Sequence, residues 1–313
     1  MPRLVISLPT RGRPQQLIET VKRNISCLSL PDTVVMVQAD TDDGLFSSEI
    51  IRDLLAIDSR VRVSARARED TIAAKWNRAL EVEADAYVCL AVDDPLIFER
   101  SDEKILAAAS LFPDGVGMVY GRMANASFSS TICFTKRMTQ LLGYIQPEYF
   151  PYWFCDHWTD DIGRMIGRII MADVATLQCV DRSKVGRTQE MREPGWWATW
   201  FDANYMVRRE HAHHIIDQLD EPEWRKEMQK SIAPLTEYRS RLINDNVRQT
   251  EKMEGFGTLL SRSLKEERYV RIKQKAIEAV PVILATLPET EARIYRDMLT
   301  PPTTIQNLQR AYG

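Results

Sequence analysis

Short apolar runs alternate with segments whose apolar residues fall three or four positions apart. The runs are Leu4–Leu8, Val34–Val37, Val61–Val63, Tyr87–Val92 and Val116–Tyr120. Between them, helical spacing is expected over Gln15–Asn24 (with Leu17, Ile18 and Val21), Ser47–Leu55, Thr71–Val82 and Asp102–Leu111. Continuous short apolar runs predict strands buried on both faces, and strict β/α alternation predicts a doubly wound, mostly parallel sheet flanked by helices. From Thr131 the texture changes. A strand over Thr131–Phe134 and a helix over Lys136–Leu142 lead into an aromatic loop, Tyr144–Trp158. Thr159-Asp160-Asp161 is expected to head a helix over Ile162–Ile169, followed by a strand over Met171–Cys179. From residue 207 the pattern is helical, with Pro222, Pro234, Pro281 and Pro288 each at a helix start, where proline is tolerated. The reading is an α/β domain over residues 1–206 and an α-helical region over 207–313.

Composition narrows this little. The 313 residues are 44% hydrophobic and 27% charged, ordinary for a globular protein, and the net charge of −3 gives no general pull toward nucleic acid. Five scattered cysteines without a CxxC argue against a disulfide framework and suit a reducing compartment; a cytoplasmic location is expected. The apolar stretch near Met1 is too short for a signal peptide, and no run approaches the ~20 apolar residues of a membrane-spanning helix.

The candidate chemistry lies where strands end. The run Tyr87–Val92 stops at Asp93 and Asp94, and Val34–Val37 leads to Asp40, with Asp42 and Asp43 behind it. Open α/β sheets bind ligands outside the carboxyl ends of their strands. Adjacent carboxylates repel unless a cation or hydrogen-bond donors compensate, and oxygen ligands suit Mg²⁺ or Mn²⁺. After the first strand comes Thr10-Arg11-Gly12-Arg13-Pro14, whose guanidinium groups would pair with phosphate. Each feature has a plainer reading as turn chemistry or solvated surface charge.

Four segments in order, over roughly residues 3–206, resemble the GT-A fold glycosyltransferases, in particular the large inverting, glycosyltransferase family 2-like group. The first strand with Pro9-Thr10-Arg11-Gly12-Arg13-Pro14 is similar to that group's P-T-x-x-R loop. Asp40 stands where the group holds the nucleotide base. Ala74-Lys75-Trp76-Asn77-Arg78-Ala79-Leu80 is similar to its A-R-N-x-G helix, and the strand ending in Asp93-Asp94 to its DxD motif. Thr159-Asp160-Asp161 is similar to its acidic base motif. The resemblance implies a GT-A-like sheet and transfer of a sugar from a nucleotide-diphosphate donor to an acceptor hydroxyl, with inversion. It implies donor contacts at Thr10, Arg11, Arg13, Asp40, Lys75, Asn77 and Asp93, and Asp94 on Mn²⁺ or Mg²⁺. Asp161, or Asp160, would be the base. His157, Trp196 and Trp197 are acceptor-side candidates. Two departures stand out: the DxD is compressed to Val92-Asp93-Asp94, and no histidine follows Cys179 where many relatives place a metal ligand.

The expected acceptor is a saccharide or another hydroxyl compound. A second reading is glycosyl transfer to modified bases of DNA, as in some bacteriophages; the net charge does not favour it. A third, of another class, is a catalytically silent binding or assembly module, with the helical region as a subdomain or homodimer contact.

Overall fold

The computed structural model of the protein describes residues 2–124, 129–150, 154–177, 201 and 205–219. The chain forms two compact units, Met1–Pro147 with Gly167–Asp181, and Glu148–Ile166 with Arg182–Gly313.

The first unit is built on seven strands: β1 (Leu4–Pro9), β2 (Thr33–Asp40), β3 (Val61–Arg66), β4 (Ala86–Cys89), β5 (Met118–Met123), β6 (Ser129–Thr135) and β7 (Ile169–Thr176). They lie in the order β3-β2-β1-β4-β6-β5-β7. Neighbours are parallel except at β6, which runs antiparallel to both β4 and β5. The helices here are α1 (Pro14–Ser26), α2 (Ser48–Leu55), α3 (Ile72–Asn77), α4 (Ser101–Ala109) and α5 (Lys136–Leu142). The expected α/β class holds, and the expected helix over Thr71–Val82 is shorter: α3 tightens into a 3-10 turn at Arg78–Glu81.

β1 and β2 are buried along their whole length. Registry puts Ile6, Val35 and Val88 side by side on one face, where Leu17 and Val21 of α1, Leu54 of α2 and Ile105 of α4 join them in one apolar core. Strand periodicity sends Ser7, Met36, Gln38, Asp40 and Cys89 to the other face. From β3 the chain passes through α3 and returns to the sheet at β4, on the opposite side of β1. The order therefore reverses between β1 and β4, the switch point where open sheets of this kind place ligands. At the outer edge, β3 presents exposed Arg62 and Arg66.

β4 ends sooner than its apolar run suggests. The strand stops at Cys89, and Asp93 and Asp94 lie in the turn that follows, where the Asp94 amide donates to the Ala91 carbonyl at 3.0 Å. The cause is Pro9. The Leu90 amide still donates to the Ser7 carbonyl at 3.1 Å, so the next ladder bond would run from residue 9 to the Leu90 carbonyl. Proline has no amide hydrogen. The Leu90 carbonyl instead accepts from the Trp76 indole at 3.0 Å.

Side chains of α1 hold what the ladder releases. Gln16 donates to Asp93 at 2.8 Å, Thr20 Oγ1 to the Val92 carbonyl at 2.7 Å, and Asn24 Oδ1 accepts from the Leu96 amide at 2.9 Å. Spacings of four put these three residues on one face of the helix.

In the first turn of α4, Asp102 is fully buried and accepts from the Ser29 and Leu30 amides, the Ser29 hydroxyl and the Thr33 hydroxyl, at 2.8 to 3.2 Å. It ties the α1–β2 loop to the helix. Asp102→Ala strands the buried Thr33 hydroxyl and two part-buried amides, and is expected to lower stability by on the order of 2 kcal/mol in urea denaturation. A loss below about 1 kcal/mol would show that water replaces the carboxylate there.

Candidate functional site

The parallel strands β1, β2 and β4 end at one edge of the sheet, and charged side chains converge there. Gly12, at φ 71°, takes the left-handed conformation that glycine adopts most readily, and its amide donates to Asp43 at 2.7 Å. Pro14 then opens α1. Arg11 and Arg13, on either side of the glycine, go to different strand ends.

Arg11 donates to Asp40 at 3.0 Å and to Asp42 through both terminal nitrogens at 2.6 and 3.1 Å. That hydrogen bonding holds the Asp42 carboxyl below the usual range and pushes the Arg11 guanidinium up. Arg13 pairs with Asp93 Oδ1, which Gln16 also reaches, so this bond joins the two strand ends beside the switch point. From α3, Lys75 donates to Asp40 Oδ2 at 2.6 Å and to the Thr10 carbonyl at 3.0 Å. Asp40 is 1% and Lys75 7% exposed. Burial pulls the Lys75 ammonium below the ordinary lysine range, and the Asp40 hydrogen bond opposes it. Asp40 Oδ1 is buried with no partner among the described residues, and so are both polar atoms of Gln38, on the same strand face. The site thus has a deep carboxylate, Asp40, with one guanidinium and an ammonium on it, and a second guanidinium, Arg13, at the neighbouring strand end on Asp93.

Thr10, Arg11, Arg13, Asp40, Lys75 and Asp93 are all brought together here. Asn77 has a different set of partners: its Oδ1 accepts from the Ile145 and Gln146 amides at 2.9 and 3.0 Å, and its Nδ2 donates to the Gln146 carbonyl at 2.9 Å. It clamps the segment after α5. Gln16, Thr20 and Asn24 escape a search for charged motifs. Their signal is a polar stripe at four-residue spacing on a helix whose other face is apolar.

Asp94 is the second carboxylate of this turn, beside the Asp93 that Arg13 and Gln16 reach, and its oxygens are the kind a hard cation takes. Among the described residues no three His, Cys, Asp or Glu side chains converge as a metal cage. Mg²⁺ in phosphate-transfer sites is commonly held by one or two carboxylates, substrate phosphates and water. A single aspartate fits a cation held in that way.

In the second unit, Asp160 and Asp161 lie in the middle of α6 (Cys155–Met165), not at its head as the sequence suggested. The helix starts earlier, with Phe154 in the left-handed conformation at φ 71°, and Asp156 is the acid of its first turn. Asp160 pairs with Arg164 at 2.7 Å. Asp161 accepts at 2.5 Å from Arg208, on α7 (Tyr205–Asp217). Arg208 is fully buried, lies 3.7 Å from the Phe201 ring centroid and donates to the Phe201 carbonyl. Neither Arg208 nor Phe201 carries a sequence signal. Trp196, Trp197 and most of the expected helical region lie outside the described residues; α7 falls where the first of its helices was expected. Cys27, Cys89, Cys133 and Cys155 form no disulfide among the described residues, and no helix among those residues is long and apolar enough to cross a membrane.

No protein-family model matches the chain, and no curated sequence does. Solved structures do. S. aureus TarS 1-349 in complex with UDP-GlcNAc aligns at a TM-score of 0.51 and 14% identity, covering 99% of this chain and 92% of that one. The mannosyltransferase PcManGT from Pyrobaculum calidifontis, in complex with GDP-Man and Mn²⁺, aligns at a TM-score of 0.48 and 17% identity, covering 99% and 84%. The likeness to TarS is one of fold, and the fold is the expected GT-A type.

Two measurements follow. Asp40→Ala leaves the Lys75 ammonium buried without its counter-ion and is expected to cost about 3–5 kcal/mol in urea denaturation, part of it recovered in Asp40→Ala/Lys75→Met. No recovery in the double variant would mean that the pair is not coupled. Near the start of α6, the hydrogen bond that His157 Nδ1 donates to the Asp156 carboxylate raises the His157 pKa; desolvation opposes it, and the charges of Asp156, Asp160 and Asp161 add to it. A raised folded value makes the pair's contribution complete below about pH 6.5 and lost as pH climbs through the folded midpoint. The His157 ring should titrate above 6.5 by NMR and move down in Asp156→Asn.

Proposed function

We propose that the protein transfers a sugar from a nucleotide-diphosphate donor to an acceptor hydroxyl. The observation that carries this is the cluster at the carboxyl ends of β1, β2 and β4, in a fold shared with TarS, a protein solved with UDP-GlcNAc. A nucleotide diphosphate needs two kinds of contact. Its base and ribose offer N–H and O–H donors, which suit the buried, unpartnered Asp40 Oδ1 and the carboxylate of Asp93. Its phosphates need cations, and Arg11, Arg13 and Lys75 supply them from two sides of the switch point. Arg11 and Arg13 are bound to protein carboxylates here, so donor phosphates would exchange one anion for another and not meet bare charge.

Asp94 would hold Mg²⁺ or Mn²⁺. When bound, such an ion neutralises charge on the departing diphosphate. Asp161 is the proposed base. Arg208, buried and bonded to it, fixes the carboxylate against rotation while the Asp161 side chain stays 32% exposed. A base that deprotonates the acceptor hydroxyl for in-line attack on the anomeric carbon gives inversion: the new glycosidic bond forms as the bond to the diphosphate breaks. Asp160, held by the more exposed Arg164, is the second choice.

Thermal melting with UDP, GDP, dTDP and CDP, each with and without Mn²⁺, tests the reading. One nucleotide at about 100 times its Kd should raise the melting temperature by a few degrees. The shift should need Mn²⁺ and vanish in Asp94→Ala. Asp161→Asn should keep the shift and lower donor turnover by a factor of about 100 or more. No shift with any nucleotide would overturn the assignment.

A further inference from the structure

We propose that Asp42 is a placeholder for phosphate. It occupies the Arg11 guanidinium until the donor's diphosphate displaces it, and it returns to help expel the spent nucleoside diphosphate. This rests on the transferase reading above and concerns the regulation of the same site.

Asp42 has no other described task. It lies in the loop between β2 and α2, and its carboxylate accepts from both terminal nitrogens of Arg11, at 2.6 and 3.1 Å. No other side chain among the described residues bonds to it. The loop is folded by its neighbour instead. Asp43 accepts from the Gly12 amide at 2.7 Å and the Leu45 amide at 3.1 Å through its side chain. Its own amide donates to the Asp40 carbonyl at 3.1 Å, and its carbonyl accepts from the Phe46 amide at 2.9 Å. What Asp42 contributes is therefore an anion on Arg11. Two terminal nitrogens facing two oxygens is also the arrangement in which a guanidinium grips phosphate, so the carboxylate imitates the ligand in charge and in shape.

Displacing Asp42 leaves no buried charge unpaired. The Arg11 side chain is 36% exposed and that of Asp42 53%, so the freed carboxylate turns to water. The second acceptor of Arg11, Asp40, is buried, but Lys75 remains on the same Oδ2 at 2.6 Å. At the neighbouring strand end, Gln16 remains on Asp93 when Arg13 leaves it. Lys75 has no such freedom: moving it off Asp40 would strand a buried charge. The cluster thus has one fixed cation and arginines that can change partner. An exposed ion pair holds weakly, and a diphosphate carries more charge than a single carboxylate, so the donor wins the guanidinium. Once the sugar has left, the carboxylate competes for the same nitrogens and speeds release.

Titration calorimetry on the full chain in the presence of Mn²⁺ tests this. The probes are UDP, GDP, dTDP and CDP, and the variants are Asp42→Ala and Asp53→Ala. Asp53 is an exposed acid of α2 that meets Arg52 at 3.9 Å, so its loss removes the same charge without touching Arg11. The nucleotide that binds should bind Asp42→Ala about fivefold more tightly, mainly through slower dissociation, and Asp53→Ala with a Kd within about twofold of the original. If Asp42→Ala does not fold, Asp42→Asn decides in the same way. An unchanged Kd overturns the proposal, since phosphate would then take the Nε side of Arg11 with Asp42 in place. A higher Kd also overturns it, because Asp42 would then be holding Arg11 ready for the ligand. Equal tightening in Asp53→Ala does so as well, as a diffuse effect of charge. These three results, with nucleotide binding intact, leave the transferase reading standing. If no nucleotide binds the original chain or any variant, the transferase reading and the placeholder role fall together.

Discussion

One missing amide hydrogen shapes the candidate donor site. Pro9 cannot donate to Leu90, and the pairing of β1 with β4 stops there. Everything after Cys89 then needs other anchors, and a stripe of side chains on α1, with the Trp76 indole, supplies them. A ladder would have fixed Asp93 and Asp94 on opposite faces of a pleated strand. Side-chain anchors put them in a turn at the switch point, where Asp93 can reach Arg13 and the first loop.

The second constraint is the buried ion pair of Asp40 and Lys75. Burying one such charge alone is costly, and the pair persists because Thr10 and Arg11 complete its hydrogen bonding. The same arrangement is the one the proposed donor site would use. A carboxylate fixed from two sides, with one oxygen unpartnered among the described residues, is pre-organised for a donor group of a ligand.

Much of this was legible in the sequence. Apolar runs located β1, β2 and β3 to within a few residues, because buried parallel strands need continuous hydrophobicity. The acids and arginines of the first unit were legible by position, since charge at the end of an apolar run has few places to go. What stayed hidden depends on partners distant in sequence. Gln16, Thr20 and Asn24 matter through a segment some seventy residues away. The end of β4 was hidden because its cause lies in β1. Asp160 and Asp161 look like a helix cap only until Phe154, a residue that does not favour the left-handed conformation, starts α6 about two turns earlier than expected. Arg208 carries no motif at all. Its role comes from burial against rings of the same unit.

The outermost strand has a consequence for how molecules of this protein meet. A sheet edge is an unfinished surface, offering amides and carbonyls to any strand that comes alongside. On β3, exposed Arg62 and Arg66 stand at that edge. Arg66 is paired with Glu81, so a second copy approaching edge to edge would meet the charge of Arg62 and an ion pair, and both would have to shed water before any backbone bond formed. The residues that make the strand a poor pairing partner contribute little to the apolar core, so the edge is protected without loss of the packing on which the sheet depends.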